Sequence, residues 1–276
     1  MASTKERQRK LARAKLDRQM ARRAQRERRR RRILAGVGAG VALLVIVGGI
    51  AWLGGAFDSK EPATPSDAAA DLCAWTPQSA ETNTDLKDVG TPPTKGIPTS
   101  GTRPMTITTN QGAPIVVSLD LAKAPCSGAD LTYLAGKKFY DNTDCTEITT
   151  DGAVRCGDPA GTGLGGPTYS FYNENVPAGT KPAYPKGTVA LIGNPPGTNG
   201  SQFLIFFKDA NPATPQYPVV GRVTSGMETV AAIGRIPTVN NGSGSKVKPK
   251  QKITIKTLTV GDVAAGAAPS ASAQSG

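Results

Sequence analysis

Ile33 to Phe57 contains no charged residue, and the segment ahead of it ends in the arginine run Arg28 to Arg32. No other feature constrains the chain as much. The stretch is rich in Val, Ile, Leu, Ala and Gly, with Trp52 near its far end. About 22 helical residues at 1.5 Å each span roughly 33 Å, enough for the hydrocarbon core of a bilayer. A cleaved signal peptide is the rival, but its charged region would be far too long. Its apolar region would also exceed the usual limit of about 15 residues. The segment is therefore expected as a single transmembrane helix over 33–57. Arginines keep their side of such a helix in the cytoplasm. The expected protein is single-pass in the cytoplasmic membrane, with residues 1–32 inside and everything after Phe57 outside.

Charge supports this division. Met1 to Arg32 holds 15 of the 33 Lys+Arg and 3 of the 21 Asp+Glu, so the basic tail carries the whole formal +12. A topology signal accounts for it. Contact with anionic headgroups is the functional alternative, and an RNA-binding arm a minor third. The balanced remainder has no electrostatic footprint for nucleic acid, and no nucleic-acid partner is expected.

The chain has no histidine. That excludes Ser-His-Asp and Cys-His catalytic sets and the usual zinc sites. The four cysteines, Cys73, Cys126, Cys145 and Cys156, contain no C-x-x-C pair, so no metal and no cofactor are expected.

Residues 58–104, dense in Pro, Thr, Ser, Asp and Gly, read as an extended tether. Cys73 hints that part of it is tied down. Residues 263–276 read as a disordered Ala/Ser/Gly tail. The folded domain is expected over 105–262. Met105–Thr109 and Ile115–Leu119 flank Asn110-Gln111-Gly112 as a hairpin. Cys145–Thr149 with Val154–Cys156 form a second strand pair. Thr188–Ile192, Phe203–Phe207, Pro218–Val223 and Ile253–Val260 are further strands. Helices are expected over Asp130–Lys138 and Met227–Ile233. The pattern is mainly β: a barrel capped by two helices.

Two stretches then carry a family resemblance. Gly157-Asp158-Pro159-Ala160-Gly161-Thr162-Gly163-Leu164-Gly165-Gly166-Pro167 is similar to the cyclophilin loop G-D-P-T-G-T-G-x-G-G. Gly197-Thr198-Asn199-Gly200-Ser201-Gln202-Phe203-Leu204-Ile205 is similar to its N-T-N-G-S-Q-F-F-I. The order of Phe139-Tyr140-Asp141-Asn142-Thr143 before them and Val220-Gly221-Arg222-Val223 after them also fits. The resemblance implies a closed eight-stranded barrel with two capping helices. It implies peptidyl-prolyl cis-trans isomerisation of proline-containing polypeptides, a rotation against a barrier of about 18–20 kcal/mol. Such a reaction needs a proline-gripping pocket and a donor to the twisted amide, which an Arg supplies in the family.

The chain departs from the family at those positions. The F-H-R segment is Cys145-Thr146-Glu147 here, so Glu147 stands at the Arg position. In the proline pocket, Gly152 and Ala153 match a Phe and a Met, Leu204 a second Phe, and Ala213 a Leu. Tyr217 matches the edge His, and Ile192 and Gly193 replace the A-N pair that holds the substrate backbone. Gln202 is kept. Replacing an aromatic wall by Gly forfeits about 1.5–3 kcal/mol of contact, and a lost transition-state donor costs about 2.7–4 kcal/mol. Weak isomerase activity on extracytoplasmic chains is therefore the first expectation. A catalytically silent binding or holdase module is the alternative, and a structural envelope component a third.

Arg155 stands at a family Gln position on the strand facing Glu147. The two are expected side by side, either with Arg155 as substitute donor oriented by Glu147, or as a neutral, silent pair. Four cysteines outside the cytoplasm pair in three ways. The hairpin favours Cys145 with Cys156, leaving Cys126 to pin Cys73. Four buried free thiols are the alternative.

Overall fold

The computed structural model describes residues 71–193 and 195–264. The expected membrane span over 33–57 and most of the Ala/Ser/Gly tail lie outside the described residues. Among the described residues no helix is long and apolar enough to cross a membrane.

Nine strands form one antiparallel sheet. They are β1 (Thr102–Thr109), β2 (Ile115–Asp120), β3 (Thr143–Asp144), β4 (Glu147–Ile148) and β5 (Ala153–Cys156), then β6 (Thr188–Leu191), β7 (Phe203–Phe206), β8 (Val219–Ser225) and β9 (Thr254–Val260). Their spatial order is β3-β9-β1-β2-β8-β6-β7-β5-β4. Two helices complete the domain, α1 (Pro125–Gly136) and α2 (Met227–Ile233). The sheet is thus nine-stranded where eight strands were expected, because Thr143–Asp144, just ahead of the strand expected over Cys145–Thr149, makes a ladder of its own. Thr143–Asp144 pairs with β9, and Glu147–Ile148 pairs with β5. Between them, Cys145 N–H bonds Ile253 O at 2.8 Å and Thr146 N–H bonds Arg155 O at 2.9 Å. The two edges of the curled sheet are therefore successive residues of one segment.

Period-two burial fills the interior. Met105 and Ile107 on β1 and Ile115, Val117 and Leu119 on β2 face inward, as alternation along a strand requires. Strands β6 and β7 are buried at every position. Their inner faces join the main core; their outer faces are covered by a second cluster that contains Tyr184, Leu204 and Phe206.

Helix α1 begins at Pro125, earlier than the reading from Asp130. Ala124 at its N-cap offers no side-chain bond, and the one local start signal is Pro125 in the first turn. The cap comes from a distant residue instead. Glu174 accepts from Cys126 N–H, Ser127 N–H and the Ser127 hydroxyl at 3.0, 2.8 and 2.8 Å. A carboxylate there satisfies orphan N–H groups and the helix dipole together.

Residues 71–101 differ from an extended tether. They form a strap laid on the domain. Cys73 is buried and disulfide-bonded to Cys126. Trp75 packs edge-on against Tyr169 and Phe171, with ring centres 5.6 and 5.2 Å away. Thr76–Pro77 pairs with Ser170 and Tyr169, and Leu86–Lys87 pairs in parallel with Gly166–Pro167. Tyr133 Oη donates to Val89 O at 2.6 Å. At the other terminus, Ala264 forms a bridge with Thr102, so the second residue of the expected disordered tail is paired.

Candidate functional site

The outer face of the sheet lines up residues from four strands. Ala190 pairs with Leu204, Leu204 with Arg155, and Arg155 with Glu147. The strand period puts Val154, Cys156, Phe203 and Ile205 on the opposite, inner side. One step along, Ile192 N–H bonds Gln202 O at 3.0 Å. One step the other way, Ala153 faces Phe206. The sheet therefore brings Glu147, Arg155, Gln202, Leu204, Ala153 and Ile192 into one neighbourhood.

Arg155 is held on three sides. Its Nε donates to Gln202 Oε1 at 2.8 Å, and Nη2 donates to Gly163 O at 2.9 Å. Nη1 reaches Glu147 Oε2 only at 3.4 Å. Gln202 uses its amide N–H groups on Gly163 O and Gly165 O, at 3.2 and 2.8 Å. The carboxylate of Asp158 accepts from Ala160 N–H and Gly163 N–H, and the Ser201 hydroxyl donates to Gly157 O at 2.6 Å. The glycine loop is thus a fixed wall of the groove, and Gln202 is one of the groups that fix it. The side chains of Arg155 and Glu147 are 15% and 27% exposed, so their long contact is worth about 0–1 kcal/mol. Three of the five guanidinium hydrogens are committed within the protein. The Glu147 contact is the easiest to exchange.

Of the positions expected to grip proline, Gly152, Ala153 and Leu204 lie close together but are filled from within. Ala153 and Leu204 are 0% and 1% exposed. Gly152 sits at φ +88°, and a Cβ there would fall 2.2 Å from Lys208 Cγ. The Lys208 stem occupies the space a larger side chain would take, and its ammonium donates to Thr150 O at 3.3 Å. Tyr184 stacks on Phe206 with ring centres 4.8 Å apart, and its hydroxyl accepts from Tyr217 N–H at 2.8 Å. Tyr217 stands at the rim. Burial pushes its hydroxyl above the usual range, and Asp151 adds to this while Arg155 opposes it. It stays a neutral O–H donor at the groove's edge. Ala213 is exposed and stands apart from the buried cluster. Ile192 and Gly193 line two adjoining hollows, of about 310 and 140 Å³.

Lys208 and Tyr184 escaped the sequence reading. The adjacent small residues Gly152 and Ala153 were the available signal, because a void in a packed face has to be filled by something. Among the described residues no group of His, Cys, Asp or Glu has the makings of a metal site. The cysteines pair as Cys73–Cys126 and Cys145–Cys156.

A curled antiparallel sheet capped by two helices, with the candidate site on the outer face of β6, β7, β5 and β4, defines a cyclophilin-type fold. Residues 104–260 match the family model for cyclophilin-type peptidyl-prolyl cis-trans isomerases. The chain is 33% identical over 209 residues to the "Probable peptidyl-prolyl cis-trans isomerase B" of Mycobacterium leprae, covering 70% of this chain and 68% of that one. A protein of the same description from Mycobacterium tuberculosis is 32% identical over 211 residues, covering 71% and 67%. A Cryptosporidium parvum cyclophilin-type isomerase, crystallised in the presence of the dipeptide Ala-Pro, aligns at TM-score 0.50 and 25% identity. That alignment covers 58% of this chain and 99% of the other. The chain belongs to the cyclophilin-type peptidyl-prolyl cis-trans isomerase family.

Proposed function

We propose that the domain is a weak peptidyl-prolyl cis-trans isomerase, acting on X-Pro bonds of polypeptides outside the cytoplasm. One observation carries the chemical part: the Arg155 guanidinium, between Glu147 and Leu204 on the outer sheet face, is held by two short hydrogen bonds, with its third contact long. A substrate's proline nitrogen can displace Glu147 from Nη1 and take a charge-assisted bond, which favours the twisted amide because twisting localises the lone pair on that nitrogen. The rate is low because the proline ring meets a filled surface at Ala153 and Leu204. In a protease-coupled or NMR-exchange assay on an X-Pro peptide, Arg155→Ala is expected to lower kcat/KM by on the order of tenfold. An unchanged rate removes Arg155 as donor. Glu147→Arg, which restores the family charge, is expected to raise the rate. If it restores nothing, the filled pocket is the larger defect.

The burial of Ala153 and Leu204 favours a second reading, a cyclophilin-shaped module that binds polypeptides without isomerising them. It predicts peptide binding with no measurable exchange.

The extracytoplasmic location rests on the apolar run Ile33–Phe57 behind Arg28–Arg32, and two disulfides suit an oxidising compartment. Protease added to wall-stripped cells is expected to digest the barrel and spare the basic tail. Cleavage of the tail with a protected barrel reverses the topology.

A further inference from the structure

The hairpin Thr238–Asn240 with Lys246–Pro249 stands beside the altered end of the groove. Its second strand opens the run Lys246-Val247-Lys248-Pro249-Lys250-Gln251-Lys252, with a lysine at every second position. Val247 and Pro249 are half-buried, and Lys246 and Lys248 are exposed. This alternation puts Lys246 and Lys248 on one face of the strand, and the chain bends at Lys250–Gln251 beyond it. Lys248, Lys250 and Lys252 line a groove of about 640 Å³ whose opposite wall carries Asp144, Glu147 and the glycine loop at Gly163.

Charge in this groove is unbalanced. Lys252 pairs with Asp144 at 2.9 Å, and Glu147 is engaged by Arg155. Lys248 and Lys250 form no salt bridge among the described residues. Lys248 ends the strand's exposed lysine face, and the bend at Lys250–Gln251 keeps Lys250 and Lys252 on the same groove, so successive lysines two residues apart present charge to an acidic segment lying along it. We infer that the groove between the lysine row and Glu147 binds an extended acidic polypeptide segment with Asp or Glu at alternating positions. Lys248 and Lys250 are its specificity-determining residues. The site adjoins Glu147 and Arg155, so an acidic stretch seated there delivers a nearby X-Pro bond to the groove. This deepens the isomerase reading and rests on it only for that last step.

The test is peptide binding, read by fluorescence anisotropy with the full chain in an uncharged detergent. The probes are labelled extended peptides with Glu or Lys at alternating positions, each with and without a proline. The Glu peptides are expected to bind on the order of tenfold more tightly than the Lys peptides, with or without proline, and to lose that advantage in high salt. The paired variant Lys248→Glu/Lys250→Glu is expected to abolish the preference. A chain with Arg28–Arg32 changed to Ala measures the share of the basic tail and is expected to keep it. If the preference follows the tail variant and survives the lysine variant, the groove is not the site. If the lysine variant binds normally but aggregates, the row only protects an exposed strand edge, and the proposal falls. Loss of isomerase activity with binding intact leaves the acidic site standing and removes only the catalytic reading.

Discussion

Changing Cys73 and Cys126 together to Ser is expected to lower the unfolding free energy by about 4 kcal/mol, the loop-entropy value for a crosslink of this span. The bridge joins residues 53 apart and ties the strap to the first turn of α1. Little else could replace it. The strap's ladders are two residues long on each side, at Thr76–Pro77 and Leu86–Lys87, and its main anchors are Trp75 and the Tyr133–Val89 hydrogen bond. The Cys145–Cys156 bridge spans only 11 residues, so its removal is expected to cost less, about 3 kcal/mol. That bridge links β5 to the segment between β3 and β4, which is already hydrogen-bonded on both sides. Denaturant midpoints of the two serine pairs give the comparison. Trp75 supplies a second reading, since a released strap exposes its indole and shifts its emission to the red. In the Cys73/Cys126 pair this shift is expected below the global transition, as local opening of the strap. An unchanged midpoint for that pair would falsify the strap's role in stability. So would a shift that appears only with global unfolding.

The barrel strands were legible because they alternate or run apolar between turn signals, and α2 is read at the bounds the structure gives it. The strap was not. Its residues are those of a linker, and what orders them is a covalent bond and an aromatic contact with residues far along the chain. Only Cys73 betrayed it. The start of α1 shows locally only as Pro125, because its cap is Glu174 rather than a neighbour. The strand Tyr169–Tyr172 went unread beside the glycine loop; it is ordered by pairing with Thr76–Pro77 and with Thr198–Asn199. At the site, the facing of Glu147 and Arg155 was legible from hairpin register. The roles of Lys208 and Tyr184 were not, since filling a void is decided by three-dimensional packing. Gln202, legible as a kept family position, bonds the glycine loop and Arg155 through its amide.

Asp130→Asn is expected to make the domain more stable near neutral pH, with a gain that vanishes in acid. Asp130 is fully buried on α1. Its Oδ1 accepts from the Tyr169 hydroxyl at 2.6 Å, while Oδ2 and the buried Tyr140 hydroxyl have no partner among the described residues. Burial pushes the carboxyl well above its ordinary value of 3.8, and the Tyr169 bond opposes this without winning. Burial and Asp130 likewise hold the Tyr140 hydroxyl up. The native state therefore keeps a proton that the unfolded chain releases once pH exceeds about 4. Stability falls as pH rises through that window, by up to about 1.4 kcal/mol per pH unit, until the native carboxyl itself ionises. Below the window both states are protonated and the penalty is absent. Asn keeps an acceptor for Tyr169 and carries no proton to lose, so its stability lacks this slope. Denaturant midpoints of both proteins across a pH series are expected to diverge upward from about pH 4 and then run parallel. A constant difference at every pH would mean that Asp130 is ionised in the fold. Asp130→Ala separates charge from hydrogen bonding, because it leaves the buried Tyr169 hydroxyl without an acceptor. It is expected to lose about 1–3 kcal/mol relative to Asn at all pH values. Because Tyr169 belongs to the strand that pairs with Thr76–Pro77, the Ala variant is also expected to loosen the strap, seen again in the emission of Trp75.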